Sequence, residues 1–243
     1  LDPDDARAFP LAVSFAQDGE VDMQQTPLVR GFDFSTETAA DVKGTAAAFY
    51  IGYYGRAPEP GGFSYWQSDV ETQADGGAGV FDIASNLSAR FRNAEETKEL
   101  YPFLDREAGA SITDAGADEF VVDVYQNLFN RDPEAAGLDY WSDQVVSRVT
   151  SGESIADIII KIMDSAESAD AVTVGNKIDV GIAYADAYSA DRFENDRATL
   201  PDINDIVDNV DDTDASVASA LATIEAAQAN GTESLNALGL PSS

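Results

Sequence analysis

The chain has 243 residues, with 45 acidic against 14 basic side chains, a formal charge of −31, and neither cysteine nor histidine. A surface this acidic repels nucleic acid and anionic membranes, which argues against sequence-independent phosphate binding. The missing cysteine rules out disulfides and thiolate metal sites, and the missing histidine removes the usual general base and any Ser-His or Cys-His nucleophile system.

The charge fits a salty medium, because at about 1 M salt the Debye length is only about 3 Å and repulsion between exposed carboxylates is screened. Divalent cations are the alternative counter-charge. A marine, salt-tolerant or calcium-rich setting is therefore expected. No apolar run approaches the ~20 residues that span a bilayer. The opening residues Leu1 to Asp5 do not look like a secretory leader, so export would rest on a removed leader or on another signal.

Residues 1–34 read as an extended arm. Val13, Phe15, Val29, Phe32 and Phe34 stand in partial alternation around a polar Asp/Gln/Gly stretch, the pattern of short β segments. Such an arm either lies on the body of the protein or adds a strand to a neighbouring copy.

Residues 35–112 are expected to form a first helical unit. Ser35 is a good N-cap, with Glu37 placed for the helix dipole; apolar residues then follow at helical spacing to Tyr54, and Gly55 ends the run. Pro58 suits the first turn of a second helix carrying Phe63, Tyr65, Trp66 and Val70. A flexible connection over residues 74–79 leads to a third helix, Val80 to Arg92, and then a shorter one interrupted at Pro102.

Residues 113–190 repeat the plan. Thr113 or Asp114 caps a helix ending near Asn130, Pro133 begins the next, and residues 154–163 answer residues 79–88. An amphipathic helix from Val172 to Tyr188 follows, with Ile178, Ile182, Tyr184 and Tyr188 as core contacts. Residues 191–230 are acidic and end in an alanine-rich helix from Ala215 to Ala229, leaving residues 231–243 as a flexible tail. No stretch demands a central sheet. The expected fold is all-α, built from duplicated multi-helix units behind an extended arm.

The duplication is visible residue by residue. Arg56, Pro58, Glu59, Gly62, Tyr65 and Trp66 recur 75 positions later as Arg131, Pro133, Glu134, Gly137, Tyr140 and Trp141, and Tyr50 matches Tyr125 at the same offset. Two readings fit. In the first, the segment is a helix-turn-helix clasp in which the Arg caps a helix end or pairs with the Glu, the Gly admits a close backbone, and the rings face the preceding helix. In the second, Tyr65, Trp66, Tyr140 and Trp141 are platforms for sugar rings, with Arg56 or Arg131 bonding the hydroxyls.

The segment from Tyr125 through Leu128, Phe129, Arg131, Pro133, Glu134, Gly137 and Leu138 to Tyr140 and Trp141 resembles the mark of the DUF4214 family, with Glu134 where Asp is usual. The first copy diverges, having Tyr53-Tyr54 for Leu-Phe and Phe63 for Leu. Residues 176–180, Asn-Lys-Ile-Asp-Val, are similar to a segment that often follows. The resemblance implies a helical domain of bacterial S-layer or RTX-type secreted proteins. It also implies a non-catalytic setting and a cell-surface or extracellular location. The helical anchor of one S-layer class, which binds lipopolysaccharide with calcium, is similar in plan, and a likeness to phycobilisome linker domains implies a scaffold role. The calcium-binding glycine-rich nonapeptides of RTX proteins are missing.

Asp202, Asp205, Asp208, Asp211, Asp212 and Asp214 form the densest acidic run, interleaved with Ile203, Ile206, Val207 and Val210. The plain reading is an amphipathic helix with a solvated acidic face. The functional reading is Ca2+, which takes clustered carboxylate oxygens, with Asp208, Asp211, Asp212 and Asp214 as candidate ligands; no EF-hand pattern is present.

Three roles follow: a non-catalytic structural or anchoring module that binds surface polysaccharide; a purely structural subunit assembling with copies of itself; or a glycan-acting hydrolase using a carboxylate pair.

Overall fold

The computed structural model describes residues 14–15, 21–22, 39–104, 111–151 and 155–237. Within the arm, β1 (Ser14–Phe15) pairs antiparallel with β2 (Val21–Asp22), Ser14 opposite Asp22 and Phe15 opposite Val21. The rest of the arm and the Ser35 cap lie outside the described residues. Every other described element is helical, so the fold is all-α apart from that short β pair.

The first unit contains α1 (Ala39–Tyr54), α2 (Pro60–Asp75), α3 (Val80–Arg92) and α4 (Glu95–Leu100). The second contains α5 (Asp114–Phe129), α6 (Ala135–Ser151) and α7 (Ala156–Asp164), followed by α8 (Ser168–Ala187). The bounds of α1 and α5 are 75 residues apart at both ends, and α2 and α6 start 75 apart. Counterparts also pack on counterparts, α1 against α5 and α3 against α7.

The two ends of the shared first helix are built alike from different residues. Gly55 follows α1 with φ 62° and Asn130 follows α5 with φ 57°. Both turn the chain in the left-handed region, which glycine adopts freely and asparagine tolerates. Each sends its N–H back into the last turn, Gly55 to the Ile51 carbonyl and Asn130 to that of Gln126. At the start of α5 the Thr113 hydroxyl accepts the Gly116 N–H at 3.0 Å, as a cap should.

Pro58 and Pro133 do not begin helices. The first helical bonds of α2 and α6 run from Phe63 N–H to the Glu59 carbonyl and from Leu138 N–H to that of Glu134, so each glutamate takes the N-cap position and the helix starts after it. Pro60 occupies the first turn of α2. Pro58 is instead buried against α8, where a Cβ on Gly181 would lie 3.3 Å from its Cδ.

One core spans both units, joining Phe49, Phe63, Leu87 and Phe91 with Phe120, Leu128, Ile159 and Ile178. Helix α8 is buried on two sides: Val174, Ile178 and Ala185 enter this core, and Val180, Ala183 and Tyr184 enter a second one. That explains why its pattern is only loosely amphipathic. The second core is closed by α9 (Ala190–Asp196), α10 (Asp205–Asp208) and α11 (Asp214–Ala237).

The acidic run is not one amphipathic helix. Ile203, Ile206, Val207 and Val210 are buried as that pattern requires, but only Asp205–Asp208 is helical before α11. Asp202 Oδ1 accepts the Asn204 N–H at 2.8 Å, and Asp211 Oδ1 accepts the Thr213 N–H at 2.9 Å. These local side-chain bonds offer the backbone turns in place of helical bonds. A second correction concerns the tail: α11 passes Ala229 and Gly231 and continues to Ala237. An interior glycine costs a helix only about 1 kcal/mol, and the good formers Glu233, Leu235 and Ala237 carry it on. Residues 238–243 lie outside the described residues.

Candidate functional site

The two copies of the repeated segment close into the same clasp. In the first, the Arg56 guanidinium makes a two-pronged contact with Glu96, Nε to Oε1 at 3.0 Å and Nη2 to Oε2 at 2.9 Å. Its Nη1 donates to Glu59 at 2.6 Å and to the Ala57 carbonyl at 3.2 Å. In the second, Arg131 grips Asp170 through Nε at 3.0 Å and Nη2 at 2.6 Å, while Nη1 donates to Glu134 at 2.9 Å and to the Asp132 carbonyl at 3.0 Å.

Each guanidinium also lies over two rings of the preceding helix. Arg56 is 5.0 Å from the centroid of Tyr50 and 5.2 Å from that of Tyr54; Arg131 is 5.4 Å from Tyr125 and 5.8 Å from Phe129. Planar, delocalised and always charged, arginine can stack on rings and bond carboxylates at once, which lysine cannot. Burial works against the charge of Arg56, but the bonds to Glu96 and the field of Glu59 outweigh it and raise its pKa. For Arg131 the bonds to Asp170 lead, and its pKa is raised too.

Tyr50 completes the first clasp. Its hydroxyl donates to Glu59 Oε1 at 2.8 Å, with the Trp66 indole as a further hydrogen-bonding neighbour. Burial and then the Glu59 carboxylate push the phenol far above its ordinary range, so it stays a neutral donor. A Cβ on Gly62 would collide with both Glu59 and Tyr50, so the first copy requires glycine there. Tyr125 has Trp141 beside it in the same way, but Gly137 is looser, its notional Cβ 3.6 Å from the Tyr125 hydroxyl.

Of the proposed sugar platforms, Trp66 is covered. It stacks on Phe91 at 4.9 Å, and the Arg90 guanidinium lies 4.4 Å from its ring centroid. Tyr65 and Tyr140 are exposed, at 57% and 56%. Each stands edge-on to its tryptophan, at 5.2 Å and 4.9 Å. Arg56 is thus taken up by Glu59, Glu96, Tyr50 and Tyr54, and the exposed Tyr65 is bonded by Arg90 instead.

The candidate calcium ligands are not brought together. Asp208, Asp211, Asp212 and Asp214 are all exposed, Asp211 is occupied by its own turn, and no group of three or more acidic side chains among the described residues could hold a metal ion. Asp202 and Asp205 instead border an open cleft of about 370 Å³, faced by Asn209 and by the α11 residues Ser216, Ser219 and Thr223.

A polar junction between α5, α8 and the Val210–Asp211 turn was partly hidden from sequence. Lys177, only 1% exposed, donates Nζ to the Asn127 carbonyl at 2.7 Å, satisfying a helix-end acceptor of α5. Asn176 donates to the Asp211 carbonyl and Asn130 to that of Val210, both at 2.7 Å. Burial lowers the Lys177 pKa to about 8, partly opposed by Asp208. Burial likewise pushes the neighbouring Asp179 carboxyl up to about 7. Pattern alone could not reveal that Glu96 and Asp170 complete the clasps or that Arg90 covers Trp66, since each comes from a distant helix; the junction was signalled only by Asn176-Lys177 standing among apolar residues.

Residues 104–172, the second unit with the start of α8, match DUF4214, described as a domain of unknown function. No curated protein and no solved structure matches the chain. No helix among the described residues is long and apolar enough to cross a membrane.

Proposed function

We propose that this chain is a non-catalytic structural or anchoring module of a bacterial cell-surface layer or secreted matrix, assembling with copies of itself and contacting surface polysaccharide. One observation carries the reading: the most distinctive residues of the chain, repeated 75 positions apart, are engaged in holding helices together. Arg56 and Arg131 are each held by two carboxylates and two rings. The segment that was duplicated thus serves architecture, and the second copy is the part that matches DUF4214. On this reading residues 35–112 are a divergent copy of the same domain.

Polysaccharide is better served by the cleft beside α11 than by the tryptophans. Ser216, Ser219, Thr223 and Asn209 offer hydroxyl and amide groups, Asp205 offers an acceptor, and Ile206 and Ala220 supply an apolar floor for sugar C–H faces. Calcium enters as a counter-ion shared between acidic copies rather than as the content of a cage within one chain.

Sedimentation of the purified chain across a calcium series, with and without lipopolysaccharide, tests this. Calcium-dependent assembly or co-sedimentation supports the reading, and Ser219→Trp, which fills the cleft, should weaken the glycan contact. A monomer at every calcium level that ignores the polysaccharide would sink it. New reducing ends released from the glycan would replace it with a hydrolase.

A further inference from the structure

The two aromatic pairs are alike in geometry but not in surroundings. In the first unit, Tyr65 and Trp66 meet edge-on with an interplanar angle of 72°; in the second, Tyr140 and Trp141 do so at 74°. Over the first pair lies an internal arginine. Arg90 is 4.4 Å from the Trp66 centroid and 5.6 Å from that of Tyr65, and it donates Nη2 to the Tyr65 hydroxyl at 2.6 Å and Nη1 to Asp69 at 2.5 Å. Phe91 stacks on Trp66 as well.

Seventy-five positions after Arg90 and Phe91 stand Ser165 and Ala166. Neither can supply a cation or a ring, and among the described residues no guanidinium lies over the second pair, which keeps its phenol and indole. Tyr140 remains exposed and Trp141 half-buried. A carboxylate is still at hand: exposed Asp143, one helical turn beyond Tyr140, takes the place of Ser68, while Gln144 stands where Asp69 does.

We propose that Tyr140, Trp141 and Asp143 form a seat for an arginine side chain presented by a basic segment of a partner protein. The first unit shows what such a seat holds when filled: a guanidinium stacked on the indole, bonded to the phenol oxygen and paired with a carboxylate. The charge of −31 favours the approach of a basic segment and disfavours a second copy of this chain as its source. The proposal is independent of the surface-layer reading, since its test requires neither assembly nor polysaccharide.

The two tryptophan indole N–H signals of the folded, isotope-labelled chain provide the readout, assigned with Trp141→Phe. A capped Gly-Arg-Gly-Arg-Gly peptide should shift the Trp141 signal saturably and leave that of Trp66 in place. The matching lysine peptide should bind more weakly. Tyr140→Ala should weaken the arginine peptide by about fivefold to tenfold, in line with the loss of a cation–π partner. Ser165→Arg, which puts an arginine 75 positions after Arg90, should abolish the shift in a chain that melts no lower than the parent. The proposal is overturned if the Trp141 signal does not move, if lysine and arginine peptides act alike, or if Ser165→Arg leaves peptide binding intact. A larger response to a neutral oligosaccharide than to the peptide would overturn it in favour of a sugar platform.

Discussion

The side-chain amide of Asn127 donates to the backbone carbonyl of Gly52 at 3.2 Å, and the two residues are 75 positions apart, so equivalent places in the repeat touch each other. The units thus meet at the same helix position seen twice, and the room for the Asn127 side chain comes from Gly55, whose Cβ would collide with it.

Gly52 has little space to grow. A Cβ there would lie 2.9 Å from Ile159 Cγ2 and 3.6 Å from Leu128 Cδ2. Gly52→Ala should therefore destabilise the fold by about 1–3 kcal/mol through overpacking. Asn127→Ala should cost about 1 kcal/mol through the lost hydrogen bond. Urea unfolding midpoints measure both, and an unchanged midpoint for Gly52→Ala would contradict the close packing of Ile159 from α7 on Gly52 of α1.

The clasps should be unequal. Arg56 has a side-chain exposure of 14% and Arg131 of 35%. Truncation leaves Glu96 unpaired and Glu59 with only the Tyr50 hydroxyl in the first case; in the second, Glu134 at 73% exposure is well solvated and Asp170 at 22% loses its partner. Arg56→Ala should cost about 2–4 kcal/mol and Arg131→Ala about 1 kcal/mol. Arg56→Lys should not restore the parent, because an ammonium cannot reproduce the two-pronged contact and the stacking. Equal losses in thermal unfolding would refute this ranking.

Asp179 gives a pH dependence of defined sign. Its folded pKa of about 7 lies above the ordinary 3.8, so the folded state holds the proton more tightly than the unfolded chain. Its contribution is present at low pH and is lost as pH rises through about 7. Asp179→Asn, which is neutral at every pH, should melt several degrees higher than the parent at pH 8 and show little advantage near pH 4. A difference in melting temperature that is constant across that range would be the contrary result.

Lys177 acts in the opposite window. Burial lowers its pKa from 10.5 to about 8, so the folded state sheds the proton more readily, and the cost of burying the charge is relieved between about pH 8 and 10.5. Lys177→Met has no such cost to relieve. Any advantage of the variant at pH 7 should shrink, or its deficit widen, as pH is raised to 10.5, read from paired melting curves. Parallel curves would show that the ammonium is not held in the low-dielectric junction.

Much of the fold was legible because it depends on local signals. The left-handed Gly55, the Thr113 cap and the bounds of α3 follow from short-range chemistry that leaves its mark in neighbouring residues. The start of α2 was misplaced because two prolines stand two residues apart, and which of them begins the helix depends on Glu59 providing the cap. The acidic run was misread because its apolar spacing is helical while its aspartates form turns, and burial of Ile203 and Val207 is compatible with either. The candidate site was legible in composition only. That Arg56 and Arg131 are held by Glu96 and Asp170 from other helices, and that Arg90 covers Trp66 while no described arginine covers Trp141, are facts of tertiary packing.

Among the described residues, five arginines are packed on rings and one lysine is buried. Arg56, Arg90, Arg131, Arg192 and Arg197 all lie over aromatic rings, and Lys177 is buried on a helix-end carbonyl. These positive groups serve as rivets, and the outer face keeps its carboxylates largely without a positive counterpart. Towards its surroundings the molecule therefore behaves like a bead of cation-exchange resin. Mobile cations gather around such a surface, and on the proposal that Tyr140, Trp141 and Asp143 seat a basic segment, raising the salt concentration should release that segment while the internal rivets hold.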